Sequence, residues 1–221
     1  MINYSENNII TLIGKIVSEK RFSHEVYGEG FYIFDLEVPR LSENNDIIPV
    51  TVSERILTEQ FVIGTKVKID GQFRSYNNYE NEKNKLVLTV FVKDIMLVED
   101  ENDETNPNEI ILNGFICKKP IYRTTPFGRE ISDILLAVNR AYNKSDYIPC
   151  IAWGRNARYC QNLEVGENIK IWGRIQSRQY EKKFEDGTSE IRRAYEVSVC
   201  KMETIKAEND ENEEEIRVNE A

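Results

Sequence analysis

Four aromatic and six basic residues between positions 140 and 180 carry the chemistry legible in this chain: Tyr142, Tyr147, Trp153 and Tyr180, with Arg140, Lys144, Arg155, Lys170, Arg174 and Arg178. An aromatic face stacks on another flat π system, and an ammonium or guanidinium group attracts anions. A polymer of flat bases joined by phosphates offers both partners, each stacked base contributing about 1–3 kcal/mol. Spacing supports such a face. Side chains alternate along a strand, so in "DYIPCIAWGRNARYCQNL" (146–163) Tyr147, Pro149, Ile151 and Trp153 share one side. Ile148, Cys150 and Ala152 share the other, small and apolar enough for a tight interior. "RIQSRQY" (174–180) puts Arg174, Arg178 and Tyr180 on a common parity, and "LAVNRAYNKSDY" (136–147) places Arg140 and Tyr142 near a hairpin tip. The competing reading has these rings covering a domain interface or capping the core. Arg155 and Arg158 also have a second use, at the start and in the first turns of a helix.

Catalysis finds no comparable support. The single histidine, His24, stands in a hydrophilic segment that reads as a solvated loop, so no histidine triad or two-histidine metal site can form. Cys117, Cys150, Cys160 and Cys200 match no zinc spacing and read as reduced, buried thiols. No glycine loop suited to cradling phosphate is present, and "FGREIS" and "EDGTSE" read as hairpin turns. A non-enzymatic chain without metal or cofactor is expected.

The net charge of −9, from 29 basic and 38 acidic residues, argues at first against a polyanionic ligand. Its distribution reverses that argument. Residues 1–98 hold 11 basic and 14 acidic side chains, and residues 99–105 add five acids. Residues 106–206 hold 17 basic and 12 acidic, net +5, whereas residues 207–221 hold one basic and seven acidic. A basic body beside acidic segments suits a polyanion binder with a separate acidic element.

The positioning elements come from a repeat. "NNIITLIGKIV" (7–17) aligns with "PNEIILNGFIC" (107–117), and "IIPVTVS" (47–53) with "YIPCIAW" (147–153), at an offset of 100. "GTKVKIDGQFRS" (64–75) then meets "GENIKIWGRIQS" (166–177) at an offset of 102. A repeat this long is a domain. The expected organisation is domain one at 1–98, an acidic linker at 99–107, domain two at 108–206 and a disordered acidic tail at 207–221. Each copy reads as five strands with one short helix between strands three and four ("RNARYCQNL" in copy two, "SERILTEQF" in copy one). That order predicts an all-β protein of two tandem OB-fold barrels, with Gly114 and Gly173 at mid-strand bends. No apolar run approaches the roughly 20 residues of a membrane span, and "MINYSENNIITLIG" carries no basic region or cleavage site. A cytoplasmic protein is expected.

Residues 108–205 resemble the bacterial single-stranded-DNA-binding protein family. The resemblance rests on "NEIILNGFICKKPIYRTTPFGREISDILLAVNRAYN" and "DYIPCIAWGRNARYCQNLEVGENIKIWGRIQSRQY". It implies stacking aromatics at a hairpin tip, at both ends of strand three and after strand four, where Tyr142, Tyr147, Trp153 and Tyr180 stand. It also implies sequence-independent protection of single strands in replication, recombination or repair, in assemblies of four OB domains. Two domains per chain then imply a homodimer, with replication or repair proteins as further partners. Copy one departs from the pattern, with Ile47, Ser53 and Asn78 opposite Tyr147, Trp153 and Tyr180, and only Tyr76 and Tyr79 nearby. It is expected to bind more weakly and to serve mainly the assembly. The tail ends "EEEIRVNEA" where the family closes on a proline–phenylalanine pair. Two alternatives stand beside this reading: an OB scaffold of a replication complex with little nucleic-acid affinity, and an RNA-binding OB protein.

Overall fold

The computed structural model describes residues 6–40, 42, 44–80, 83–98, 106–184 and 187–205. The first copy forms β1 (Asn8–Ile16), β2 (Arg21–Val26), β3 (Glu29–Pro39), β4 (Asn45–Ser53), β5 (Lys66–Glu80) and β6 (Lys83–Leu97). The second forms β7 (Asn108–Ile116), β8 (Ile121–Thr124), β9 (Glu130–Arg140), β10 (Lys144–Trp153), α1 (Arg155–Cys160), β11 (Asn168–Lys183) and β12 (Ser189–Thr204). Most of the linker expected at 99–107 and all of the tail expected at 207–221 lie outside the described residues.

Alternation sets the interior. In β9, Ile134, Leu136 and Val138 are buried, and in β10 Ile148, Cys150 and Ala152 face them, as strand parity predicts. Each sheet closes on itself. The second barrel runs β7–β9–β10–β12–β11–β7, with a parallel step between β10 and β12. The first repeats this as β1–β3–β4–β6–β5–β1. Closure needs tight backbone crossings. A Cβ on Gly114 would collide with the carbonyl of Ala137, and one on Gly173 with that of Ser198. At Gly173 the β11–β12 register slips, leaving Cys200 as the extra residue of a bulge, and β6 does the same at Lys93.

Several expectations are corrected. The second copy has more than the five strands expected: residues 117–120 separate β7 from β8, and Pro120 lacks the N–H that would continue a ladder. Each barrel therefore carries a sixth short strand, β2 or β8, paired to β3 or β9. The helix expected in copy one is absent, and residues 54–56 form a turn. In copy two Gly154 takes φ 52°, and Arg158 N–H reaches its carbonyl at 3.0 Å, an α-helical bond. Copy one has Glu54 there, a side chain that disfavours left-handed backbone. Its Ser53 Oγ captures the Arg55 N–H at 3.1 Å, and the following bonds, such as Leu57 N to Glu54 O at 3.3 Å, span only three residues. Cys150 and Cys160 are buried as expected, but Cys117 is only half-buried just past the end of β7, and Cys200 is exposed as the extra residue of the bulge. His24 lies on β2 rather than in a loop.

The two barrels share a seam. β1 and β7 pair antiparallel with Ile10 opposite Ile110, which merges both copies into one 12-stranded sheet about a pseudo-two-fold axis. Asn8 caps the seam by donating to Phe73 O (2.7 Å) and accepting from Phe73 N (2.9 Å), and Asn108 does the same with Ile175 at 2.7 and 2.9 Å. Each barrel also sends a carboxylate to the other. Asp46 accepts from Ser177 N at 2.6 Å, while Arg40 clasps it from Nε and Nη2 at 2.7 and 2.6 Å. Asp146 accepts from Ser75 N at 2.7 Å, and Tyr147 N donates to Ser75 Oγ at 2.7 Å.

The two carboxylates differ where the arginine sits. Arg140 Nε is 3.4 Å from Asp146 Oδ2, and that buried oxygen has no hydrogen-bond partner among the described residues. Burial therefore outweighs the Ser75 bond and the Arg140 charge, and holds the Asp146 pKa above its ordinary 3.8. Folding thus favours the protonated acid. The stability this contributes is complete below the unfolded pKa and is lost as pH rises through the elevated folded value. Relative to Asp146→Asn, which cannot ionise, the parent should lose stability as pH climbs from about 4 toward neutrality, where an exposed Asp titrates fully. Urea midpoints across that range measure this. A parent that instead gains on the variant with rising pH would show a carboxylate held ionised by its salt bridge, with stability lost in acid.

Candidate nucleic-acid interface

The outer face of the second barrel is read across three strands. Ile151 of β10, Ser198 of β12 and Arg174 of β11 form one row through their pairings. Trp153 leans over this row, its indole N–H donating to Ser198 Oγ at 3.2 Å, with 37% of the residue exposed. A ring fixed by its polar edge keeps its face available for stacking. Ile151, placed on the outer parity by the sequence, is instead buried, at 6% exposure.

Farther along β11, the Arg178 guanidinium lies 5.7 Å from the centre of the Tyr180 ring. The same arm ends at Phe184, which Lys182 and Arg192 approach at 5.4 and 5.7 Å. This Phe184 group extends the ring-and-cation series beyond Tyr180, and sequence parity had stopped short of it. Tyr147 is half exposed where β10 meets β5 of the first barrel. Tyr142, at the β9–β10 tip, is 94% exposed and holds φ 62° beside Asn143 at φ 54°. Positive φ at successive residues is what a tight hairpin turn requires, and it holds the Tyr142 ring out at the tip.

The remaining cations divide. Lys144 is exposed at the same tip, while Arg140 turns toward Asp146. Arg155 is exposed at the start of α1, and its neighbour Arg158 pairs with Glu130 at 3.3 Å. Lys170 does not join the four rings: its ammonium sits 5.1 Å from the Trp172 ring, which Lys201 also approaches at 4.3 Å. That group borders the β1–β7 seam. The structure thus places Trp153 and Arg174 on either side of Ser198, sets Arg178 beside Tyr180, and gathers Arg140, Tyr142 and Lys144 around one cavity, with Tyr147 bonded to Ser75 of the first barrel. Phe127, at the β8–β9 tip and 91% exposed, lies within "FGREIS", where turn signals masked it.

Barrels closed in this strand order, with rings and cations on an outer face, define a tandem OB-fold pair. Comparison with known proteins agrees. Residues 107–205 match the model of the Single-strand binding protein family. A single-stranded DNA-binding protein of Clostridium tetani (strain Massachusetts / E88) is 39% identical over 88 residues, covering 37% of this chain and 59% of that protein. Single-stranded DNA-binding protein B of Bacillus subtilis (strain 168) is 34% identical over 84 residues, or 34% of this chain and 72% of that protein. The chain belongs to the Single-strand binding protein family. It spans about half of some curated relatives, such as 48% of single-stranded DNA-binding protein 1 of Staphylococcus aureus (strain COL). The crystal structure of wild-type single-stranded DNA binding protein from Thermus aquaticus shares the fold at 18% identity, with a TM-score of 0.71 over 90% of this chain and 93% of that one. No helix among the described residues is long and apolar enough to cross a membrane.

Proposed function

We propose that this protein binds single-stranded DNA without sequence preference, stacking unpaired bases on Trp153, Tyr180, Tyr147 and Tyr142. Arg174, Arg178, Lys144 and Arg140 hold the phosphates, and Arg155 and Lys170 add outlying positive charge. The observation that carries this reading is the Trp153 ring, fixed by Ser198 with Arg174 in the adjacent strand. No step of chemistry is required of it, and the protein acts as a cytoplasmic, non-enzymatic binder in replication, recombination or repair.

Two chains assemble through the outer face of the seam, giving four barrels. Ile9, 40% exposed, lines a shallow depression of about 260 Å³ there with Ile111 and Trp172. An oligo-dT of about 30 nucleotides suffices for two barrels at up to about 16 nucleotides each. It should bind tightly at low salt, with log affinity falling by about 0.7 per phosphate contact for each tenfold rise in salt. Fluorescence anisotropy measures this, and sedimentation equilibrium on the same samples reports the mass. Absence of binding at low salt would remove the DNA reading and leave a scaffold. A one-chain mass would remove the dimer alone.

A further inference from the structure

The first barrel lacks a ring at the counterpart of Trp153. Ser53 stands there, hydrogen-bonded to Glu29, which also pairs with Arg55 at 3.1 Å. A carboxylate at that spot disfavours a phosphate backbone. The aromatic surface has moved one strand over. The parallel steps Val50–Val90 with Thr51–Phe91 and Cys150–Val197 with Ile151–Ser198 make Phe91 the counterpart of Ser198. Phe91 belongs to a ring series: Phe31 lies 5.7 Å from it, and His24 stacks on Phe31 at 4.9 Å and 8°. Arg74 closes the other end, its guanidinium 3.7 Å above the Phe91 ring.

This series borders a cavity of about 600 Å³, lined by His24, Phe91, Tyr76 and Arg74 and, from the second barrel, by Arg140. A second cavity, of about 440 Å³, shares Arg74 and Arg140 and continues to Tyr142 and Lys144 at the β9–β10 tip. The bulge residue Lys93 also lines it. No acidic side chain among the described residues lines either cavity, in a chain whose net charge is −9. Arg74 and Arg140 line both cavities, Arg140 3.4 Å from the buried Asp146 and Arg74 bonded to Gln72 at 2.9 Å, and burial and the Arg140 charge both lower the Arg74 pKa. Two guanidinium groups opening onto the same cavities attract a phosphate, and a planar group fits beside the rings.

We propose that the junction is a second nucleotide-binding site: Arg74 and Arg140 hold a phosphate of a single strand crossing from Tyr142 to the first barrel, where a base enters the His24–Phe91–Tyr76 cavity. This rests on the single-strand reading above and gives the first barrel a direct role in it. Oligonucleotides of two lengths test it on the full chain. One of about 6 nucleotides, near the lower end of what a single OB fold covers, engages the second barrel alone; one of about 30 crosses the junction. Arg74→Gln should weaken the long oligonucleotide about five- to tenfold and lower its salt slope by about one contact. Tyr76→Ala should weaken the long oligonucleotide comparably with the slope unchanged, because it removes a ring and no charge. Neither variant should affect the short one. His24→Ala, on an exposed strand, carries the same test should Arg74→Gln fail to fold. Equal losses on both lengths, or no loss on the long oligonucleotide, would overturn the junction site while the parent still binds. A parent that binds neither length would instead defeat the reading beneath it.

Discussion

Truncating Trp153 and Tyr180 together to alanine is expected to lower affinity for single-stranded DNA by about 30-fold or more while leaving the fold intact. Each ring offers a stacking face, and alanine substitution of such a ring costs about 1–3 kcal/mol, tenfold for every 1.4 kcal/mol. The two rings stand on different strands with separate neighbours, Ser198 for Trp153 and Arg178 for Tyr180, so their losses should add. Both lie on the outer face, at 37% and 39% exposure, and neither belongs to the core that Ile148, Cys150 and Ile175 build. Anisotropy titration of parent, single and double variants gives the numbers, and far-ultraviolet circular dichroism checks the fold. Retention of parental affinity by the folded double variant would move the site elsewhere on the chain.

The second large effect is on stability. Asp46→Ala should cost about 3–5 kcal/mol, the range for removing one partner of a buried ion pair. The Asp46 side chain is wholly buried and satisfies two groups of Arg40 together with the Ser177 N–H across the barrel junction. Arg40 itself reaches on to Ser177 O at 3.0 Å, and Ile47 N donates to Ser177 Oγ at 3.1 Å. Deleting the carboxylate strands a guanidinium and a backbone donor at once. Asp146→Ala should cost less, because its arginine sits at 3.4 Å and one of its oxygens is already unpartnered. Urea unfolding ranks the two, and a larger loss at Asp146 would contradict the assigned difference.

Much of this architecture is legible in the chain because the repeat writes it twice. Gly14 on Gly114 and Pro49 on Pro149 mark equivalent strands, and alternation from Tyr147 to Trp153 separates core from surface at every position but Ile151. The missed helix shows where repetition misleads. One exchange, Glu54 for Gly154, removes the left-handed residue that starts the turn of α1. Site residues follow the same division. Trp153, Arg174, Arg178 and Tyr180 are close along strands whose parity is visible in sequence. Arg74, Phe91 and His24 come together only through pairings between distant strands of the first barrel, which no local spacing encodes. Position-by-position comparison also concealed the displaced ring, since Phe91 answers to Ser198 rather than to Trp153.

The most direct test of the central claim uses the chain's two tryptophans, Trp153 and Trp172. Titrating oligo-dT into the parent should quench its fluorescence, and the same titration of Trp153→Phe should bind nearly as well with most of the quenching gone. Phenylalanine preserves a stacking face, whereas Trp172 lies between Lys170 and Lys201 on the seam side. Quenching of equal depth in Trp153→Phe would place the bases on the Trp172 face and contradict the proposed interface.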